Sequence, residues 1–156
     1  MSRDLKTGVL EAQQFIGSYF EAYPGVRRWI DGNLAQARRD GRVCTMFGRI
    51  RPMPELTASD HNIQKMGERI ATNAPVQGSA ADIIKLAMIR LDAALRAKGS
   101  PARLLLQVHD ELVLECPEAA VGEVGSLVRE AMEGVAELPV PLTVDVHDGP
   151  NWLEAK

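Results

Sequence analysis

A chain of 156 residues, 46% hydrophobic and 25% charged, has the composition of one ordinary globular domain with a proper core. Its net charge of −3 argues against a freestanding nucleic-acid-binding protein, although many arginines lie between residues 27 and 51. The sequence contains no apolar run of membrane-spanning length and no signal-peptide pattern, so we expect a cytoplasmic protein in which Cys44 and Cys116 stay reduced.

The first third of the chain predicts two helices followed by a short β-ribbon. Apolar residues at helical spacing predict a helix over residues 9–23, and Pro24 ends it. A second helix is predicted over residues 26–39. The stretch RVCTMFGRIRPMP, residues 42–54, then predicts two strands joined by a turn at Gly48. The residues of the second helix that we expect to point inward are Val26, Trp29, Ile30 and Leu34.

The middle of the chain predicts two further helices separated by a proline. Ser59 is a suitable N-cap for a helix that runs to about Asn73. Pro75 is expected to interrupt it, because the residue before a proline avoids helical geometry. The segment SAAD, residues 79–82, has the form of a capping box and predicts the start of another helix, which ends near Leu95. The buried stripe of that helix is predicted to contain Ile84, Ala87 or Met88, Leu91 and Leu95.

The last third predicts a hairpin, a helix and a final strand. In RLLLQVHDELVLE the two strands are predicted over residues 103–108 and 111–115. A helix follows over residues 118–135, and PLTVDV, residues 141–146, predicts a last strand. Helices and paired strands that do not alternate strictly indicate an α+β fold with an antiparallel sheet.

The tip of this hairpin carries the first candidate chemistry. His109, Asp110 and Glu111 form a polar turn between two apolar strands. A tight hairpin holds Asp110 at an exposed and stiff position, as an oxygen ligand for a hard cation requires. Asp is also common in ordinary turns, and one carboxylate tip is half of a two-metal site. The residues alone therefore leave both interpretations open.

A second pattern lies on the predicted helices on either side of the proline. Arg69, Asn73 and Gln77 recur at four-residue spacing. The first two share a helix face, whereas Pro75 leaves the orientation of Gln77 open. Amide side chains suit the minor groove of a duplex, where base pairs of either kind present acceptors, so such a face would sense pairing without reading sequence. A solvated helix face is the alternative.

Four segments of the chain occur in a specific order: TMFGRIRPMPEL, ERIATNAPVQGSAADIIKLAMIRL, LLLQVHDELVLE and GPNWLEAK. In this order they resemble the C-terminal part of family A DNA polymerases, of the bacterial DNA polymerase I type. The resemblance extends from about Gly8 to Lys156 and includes EAQQFIGSYFEAYPGVRRWI near the start.

The resemblance implies both a fold and a site. It implies a partial polymerase palm, in which the HDE hairpin packs on helices, preceded by a helical part of the fingers. We expect the fingers over residues 1–72 and the palm over residues 73–156. Asp110 and Glu111 are implied to be catalytic and to bind Mg²⁺, with Glu111 in a lesser or indirect role. Contacts to the primer-template DNA are implied for His109, Arg69, Asn73, Gln77, Arg49 and Arg51.

Two departures from the family's pattern bear on the structure. Gly67 replaces the usual alanine inside a helix, which costs about 1 kcal/mol of helix propensity. The segment VHDGP, residues 146–150, repeats the His-Asp pair of the hairpin. The family has only a turn at that place, so we interpret His147 and Asp148 as structural.

Two motifs of the family do not occur in these 156 residues. One is the strand motif of the DYSxIELR type, which carries the second metal-binding aspartate. The other is the fingers helix that binds the incoming nucleotide. We therefore expect the last part of a DNA-directed DNA polymerase, inactive without the missing N-terminal part. Primer-template DNA and dNTP are the expected partners of the complete enzyme, with no membrane partner.

An exposed sheet edge and apolar surface would favour a homo-oligomer of the isolated chain. Three alternatives remain at this point. The chain could be a subunit of a split polymerase, a non-catalytic DNA-binding module, or a purely structural α+β domain.

Overall fold

The computed structural model of the chain describes residues 8–155, which form α-helices and two short antiparallel hairpins. They divide into two compact units, one ending at Gln77 and the other beginning at Gly78. The mixture of helices and antiparallel strands confirms the expected α+β class. The division into fingers and palm at residue 72 stays a prediction. None of the described helices is long and apolar enough to cross a membrane.

The first unit begins with two helices and a hairpin: α1 (Val9–Ala22), α2 (Pro24–Asp40), β1 (Arg42–Cys44) and β2 (Ile50–Pro52). These elements agree with the sequence-based prediction except at one junction. Pro24 lies in the first turn of α2, where a proline fits because the N–H of that position has no helical partner. Gly41 ends α2 with a φ of +65°, and Gly48 (φ +82°) lies in the turn of the hairpin.

The core of the first unit surrounds Met53, which is fully buried. The predicted inward stripe of α2 is only partly correct. Leu34 packs against this core, whereas Val26 and Trp29 remain 38% and 44% exposed. Burial lies further along the helix, where Leu34 and Ala37 pack in one core with Val43 of β1. The buried partners of Met53 are Ala37, Val43, Leu56 and Ala71.

Helix α3 (His61–Ala97) corrects the prediction of two helices separated at Pro75. Pro75 lies inside this helix, and so does the SAAD segment, which is therefore not a capping box. The N-cap is Asp60 rather than Ser59. The Asp60 carboxylate accepts hydrogen bonds from the backbone N–H groups of Asn62 (2.7 Å) and Ile63 (3.3 Å).

The helix continues through Pro75 because the backbone carbonyl that the proline leaves without a helical hydrogen bond accepts one from a side chain. A proline has no N–H, so the carbonyl four residues earlier, that of Ala71, loses its helical partner. The side-chain amide of Asn33 on α2 donates to this carbonyl, with 2.7 Å between Nδ2 and O. A residue 38 positions away in the sequence thus replaces the missing donor.

The second unit contains a hairpin packed on helices. Strands β3 (Arg103–Val108) and β4 (Glu111–Glu115) have the predicted bounds, and helix α4 (Val121–Glu133) follows a 3₁₀ turn at Glu118–Ala120. Leu112 and Leu114 of β4 pack against the helical core. The buried residues of this core are Leu91, Leu95, Val124, Leu127, Val128 and Ala131. The buried stripe predicted for the C-terminal half of α3 is confirmed, since Ile84, Ala87, Leu91 and Leu95 are all buried.

The final strand predicted over residues 141–146 is wrong, because the structure shows no strand in that segment. In that segment the backbone of Val144 forms hydrogen bonds with side chains of α4. Its N–H donates to Glu133 Oε1 at 3.0 Å, and its carbonyl accepts a hydrogen bond from Arg129 Nε at 3.4 Å. These two side chains therefore use the N–H and the carbonyl of Val144, which would otherwise pair with a neighbouring strand.

Gly67 marks a close approach between α3 and the 3₁₀ turn Pro54–Thr57. A Cβ atom at this position would lie 2.9 Å from the Cβ of Glu55 and 3.2 Å from Cδ2 of Leu56. Atoms do not approach so closely without a shift of the turn. The glycine that weakens helix propensity is therefore required by packing.

We expect Gly67→Ala to lower the free energy of unfolding by about 1 kcal/mol. Overpacking costs about 1–3 kcal/mol, and the gain in helix propensity offsets only about 1 kcal/mol of it. The matched control is Gly32→Ala, because Gly32 lies inside α2 with nothing within 4 Å of an added Cβ. That substitution should raise the free energy of unfolding by roughly 0.5–1 kcal/mol.

Urea unfolding followed by circular dichroism measures both variants. Equal stabilisation by the two substitutions would show that the 3₁₀ turn moves aside freely, and the packing argument would then be wrong.

Candidate functional site

Four of the residues expected to contact DNA line one hollow of the first unit. Arg51 comes from β2, and Arg69, Asn73 and Gln77 come from α3. The volume of the hollow is about 320 Å³. The rest of its lining is mainly apolar: Met66, Ile70 and Ala74.

The geometry of α3 explains why three of these side chains converge. Residues four apart lie on the same helix face, provided that the helix continues without a break. Because α3 is continuous past Pro75, Gln77 lies on the face of Arg69 and Asn73. The continuity of α3 therefore decides the orientation of Gln77 that the sequence left open.

Arg51 reaches the same hollow from the hairpin. It pairs with Val43 across the two strands, and paired residues project from the same face of a ribbon. Val43 is buried in the core that also contains Ala71 of α3. The stem of Arg51 therefore begins on the side of the hairpin that faces α3.

The chemistry of the hollow suits an anionic polymer with base edges. Arg51, Arg69, Asn73 and Gln77 are all exposed and therefore accessible to a ligand. A guanidinium group presents several donors in a fork that matches phosphate oxygens. An amide presents both a donor and an acceptor, and its donor can reach purine N3 or pyrimidine O2 in a minor groove.

Two acidic side chains of the first unit are paired with arginines of α2. Glu68, which directly precedes Arg69, forms an ion pair with Arg38 (Nη2 to Oε1, 2.5 Å). This pairing reduces the repulsion that a phosphate beside Arg69 would experience from Glu68. Arg39 donates a hydrogen bond of 2.9 Å to Asp40, and this bond lowers the pKa of the Asp40 carboxyl.

Arg49 does not line the hollow. It lies in the connection between β1 and β2, where its backbone helps to close the turn. The N–H of Thr45 donates to the carbonyl of Arg49 (2.9 Å), and the N–H of Arg49 donates to Thr45 Oγ1 (3.1 Å). A DNA contact by the Arg49 side chain stays a prediction.

The second candidate site is the turn between β3 and β4. Val108 pairs with Glu111, so His109 and Asp110 are the two central residues of a tight turn. His109 has a φ of +55°, a left-handed conformation that costs a non-glycine residue roughly 1–2 kcal/mol. The side-chain amide of Gln107 donates to the His109 carbonyl at 2.6 Å. This bond fixes the peptide between His109 and Asp110.

The carboxylates of this turn fit a hard cation that is shared with a substrate. Asp110 and Glu111 are adjacent and exposed. Magnesium usually takes one or two protein carboxylates and completes its coordination with phosphate oxygens and water. Within residues 8–155, no group of three or more His, Cys, Asp and Glu side chains is arranged to hold a metal ion. Asp110 and Glu111 are the side chains of this turn that would hold such an ion.

Two residues of these sites were missed by sequence reasoning. Asn33 and Gln107 both donate side-chain amide hydrogen bonds to backbone carbonyls. Neither residue belongs to a spacing pattern in the sequence. Pro75, however, indicates that a donor such as Asn33 is required. A proline inside a helix implies a carbonyl without a helical donor, and therefore a donor elsewhere in the chain.

Comparison with known proteins gives a consistent result. The family model for DNA polymerase family A matches residues 1–154. The whole chain is 51% identical to the thermostable DNA polymerase I of Thermus thermophilus and 45% identical to the DNA polymerase I of Streptococcus pneumoniae. It spans 18% of the length of each of these curated relatives.

A solved structure also resembles the chain closely. It is described as the POL domain of Pol1 from M. smegmatis in complex with DNA primer-template and dNTP. The TM-score is 0.95 at 45% sequence identity, and the match covers 99% of this chain and 27% of that chain. The chain described here belongs to DNA polymerase family A.

Proposed function

We propose that the chain forms part of the fingers and palm of a DNA-directed DNA polymerase. The complete enzyme carries out template-directed nucleotidyl transfer with two metal ions, in DNA replication and repair. The observation that carries this proposal is the convergence of Arg51, Arg69, Asn73 and Gln77 on one exposed hollow. The M. smegmatis relative is in complex with primer-template DNA and dNTP, which supports the same partners here.

The hollow acts as a sequence-independent contact to the primer-template. Arg51 and Arg69 neutralise backbone phosphates, a contribution that is the same for any sequence. Asn73 and Gln77 donate to minor-groove acceptors that all correctly formed base pairs present. Together these contacts hold the duplex and respond to irregular pairing. In the proposal His109 lies near the 3′ end of the primer.

The hairpin turn provides carboxylate ligands. Family A polymerases are metal-dependent, and Asp110, with Glu111 beside it, would hold Mg²⁺ here. When bound, the metal would supply stabilisation of the negative charge that develops during phosphoryl transfer. The contribution of this chain is to keep Asp110 at a fixed place, by means of the strained His109 backbone and its bond to Gln107.

Two further properties follow from the proposal. A polymerase acts where the chromosome lies, so we place the complete protein in the cytoplasm with the nucleoid. Self-association of the isolated chain is supported by large apolar side chains that are at least half exposed, among them Phe15, Leu105 and Leu106.

We expect Arg69→Ala and Arg51→Ala each to weaken the binding of the chain to a primed duplex. Each should also reduce the slope of log K against log salt by about 1, because one phosphate contact is lost. Gln77→Ala should weaken binding without a change of slope. Fluorescence anisotropy at several salt concentrations measures all three.

The matched control for this experiment is Arg96→Ala. Arg96 lies near the end of α3, is exposed, and pairs with Asp92 at 3.0 Å. It should leave affinity and slope unchanged. An equal effect of Arg96→Ala would mean that net charge alone drives the binding, and the hollow would not be the DNA contact.

We expect the 156-residue chain alone not to extend a primer. Extension should appear when the N-terminal part of the Thermus thermophilus relative is added. In that mixture Asp110→Asn should lower the rate by at least about 100-fold, because metal coordination supplies several kcal/mol of transition-state stabilisation. Glu111→Gln should have a smaller effect. Primer-extension assays with Mg²⁺ measure these rates.

The matched control is Asp148→Asn, since Asp148 follows a histidine as Asp110 does and is exposed. We expect no loss of rate. Extension by the chain alone, abolished by Asp110→Asn, would contradict the need for a partner. A tight complex between the two parts would favour a split polymerase.

A further inference from the structure

We propose that Asn33 is a positioning residue for the proposed DNA-contacting hollow, an inference that rests on the function proposed above. Asn33 does not line the hollow. It acts through α3, because its side-chain amide keeps the helix regular where Asn73 and Gln77 project from it.

The helical hydrogen bond that Pro75 removes lies in a buried part of α3. Pro75 is buried, and Ala71 has no exposed surface, so water cannot easily supply a donor to the Ala71 carbonyl. Buried backbone carbonyls are paired in native proteins. If Asn33 cannot donate, the segment from Ala71 to Pro75 must bend away from regular geometry to find another partner.

Two residues proposed to contact DNA lie in this segment or directly after it. Asn73 lies between Ala71 and Pro75, and Gln77 lies two residues after the proline. A bend in this segment therefore changes the direction of Gln77 relative to Arg69. All three side chains line the same hollow only while the helix stays regular.

Asn33 lies on a part of α2 that is packed against the core of the first unit. Leu34, its neighbour in α2, packs against the core that contains Ala71, and Ala37 is buried in the same core. This packing holds α2 against α3 and fixes the distance of 2.7 Å between the Asn33 amide and the carbonyl. The donor is thus held in place before any DNA binds.

The test is a double-mutant cycle of Asn33→Leu and Pro75→Ala. Leucine has a similar size but cannot donate, whereas alanine at position 75 restores the N–H that bonds the Ala71 carbonyl. NMR of the 156-residue chain without DNA follows the amide shifts of residues 72–78 and the side-chain amides of Asn73 and Gln77. We expect Asn33→Leu to shift these signals and the double variant to return them to their positions in the Pro75→Ala single variant.

The same four proteins are then compared for binding to a primed duplex. We expect Asn33→Leu to weaken binding about tenfold, as for the loss of one minor-groove contact. The salt slope should stay unchanged, because Asn33 carries no charge and no phosphate contact is lost. The double variant should recover the affinity. A role in stability alone would leave the affinity of the folded protein and its amide shifts unaltered.

Several outcomes would overturn the inference. Unchanged signals of Asn73 and Gln77 in Asn33→Leu would do so, and so would a double variant that keeps the defects of the single one. If Asn33→Leu does not fold, we expect the double variant to fold. If neither variant folds, the inference is wrong. If the wild-type chain does not bind primed duplex, the proposed function fails, and the NMR cycle alone decides the role of Asn33.

Discussion

The hydrogen bond from Asn33 to the carbonyl of Ala71 is the interaction on which the candidate interface depends. A buried carbonyl without a donor costs about 1–3 kcal/mol, a large share of the stability of a small domain. Because the amide of Asn33 removes this cost, α3 accommodates Pro75 and remains continuous. Asn73 and Gln77, on either side of the proline, therefore face the same hollow.

The hairpin of the second unit uses the same physical device. Its turn places His109 at a φ of +55°, a conformation that local preferences disfavour, and the amide of Gln107 bonds the carbonyl of that residue. Strain of this kind persists only where surrounding contacts determine the backbone, and it is often found at functional sites. In both units an amide side chain stabilises backbone geometry beside the residues to which we assign function.

Net charge gives a misleading picture of a surface whose charges are arranged in pairs. The chain carries a net charge of −3, yet Arg51 and Arg69 converge on one hollow. Glu68, beside Arg69, is bound by Arg38 of α2. The local field that a phosphate experiences is set by such neighbours, because salt screens exposed charges beyond a distance of about 10 Å.

The sequence by itself determined the helices α1, α2 and α4 and the bounds of both strands of the HDE hairpin. These elements follow from apolar periodicity and turn residues, which are properties of neighbours along the chain. The resemblance to the polymerase family identified the candidate site residues, but their spacing alone did not determine the orientation of Gln77. Only the tertiary structure decided the continuity of α3 through Pro75, the need for Gly67, and the loss of the strand predicted over residues 141–146. Each of these features depends on partners outside its own segment. The partner is Asn33 for the helix, Glu55 for Gly67, and Arg129 with Glu133 for the lost strand. A pattern of residues along the chain contains no information about which distant residues lie close in space.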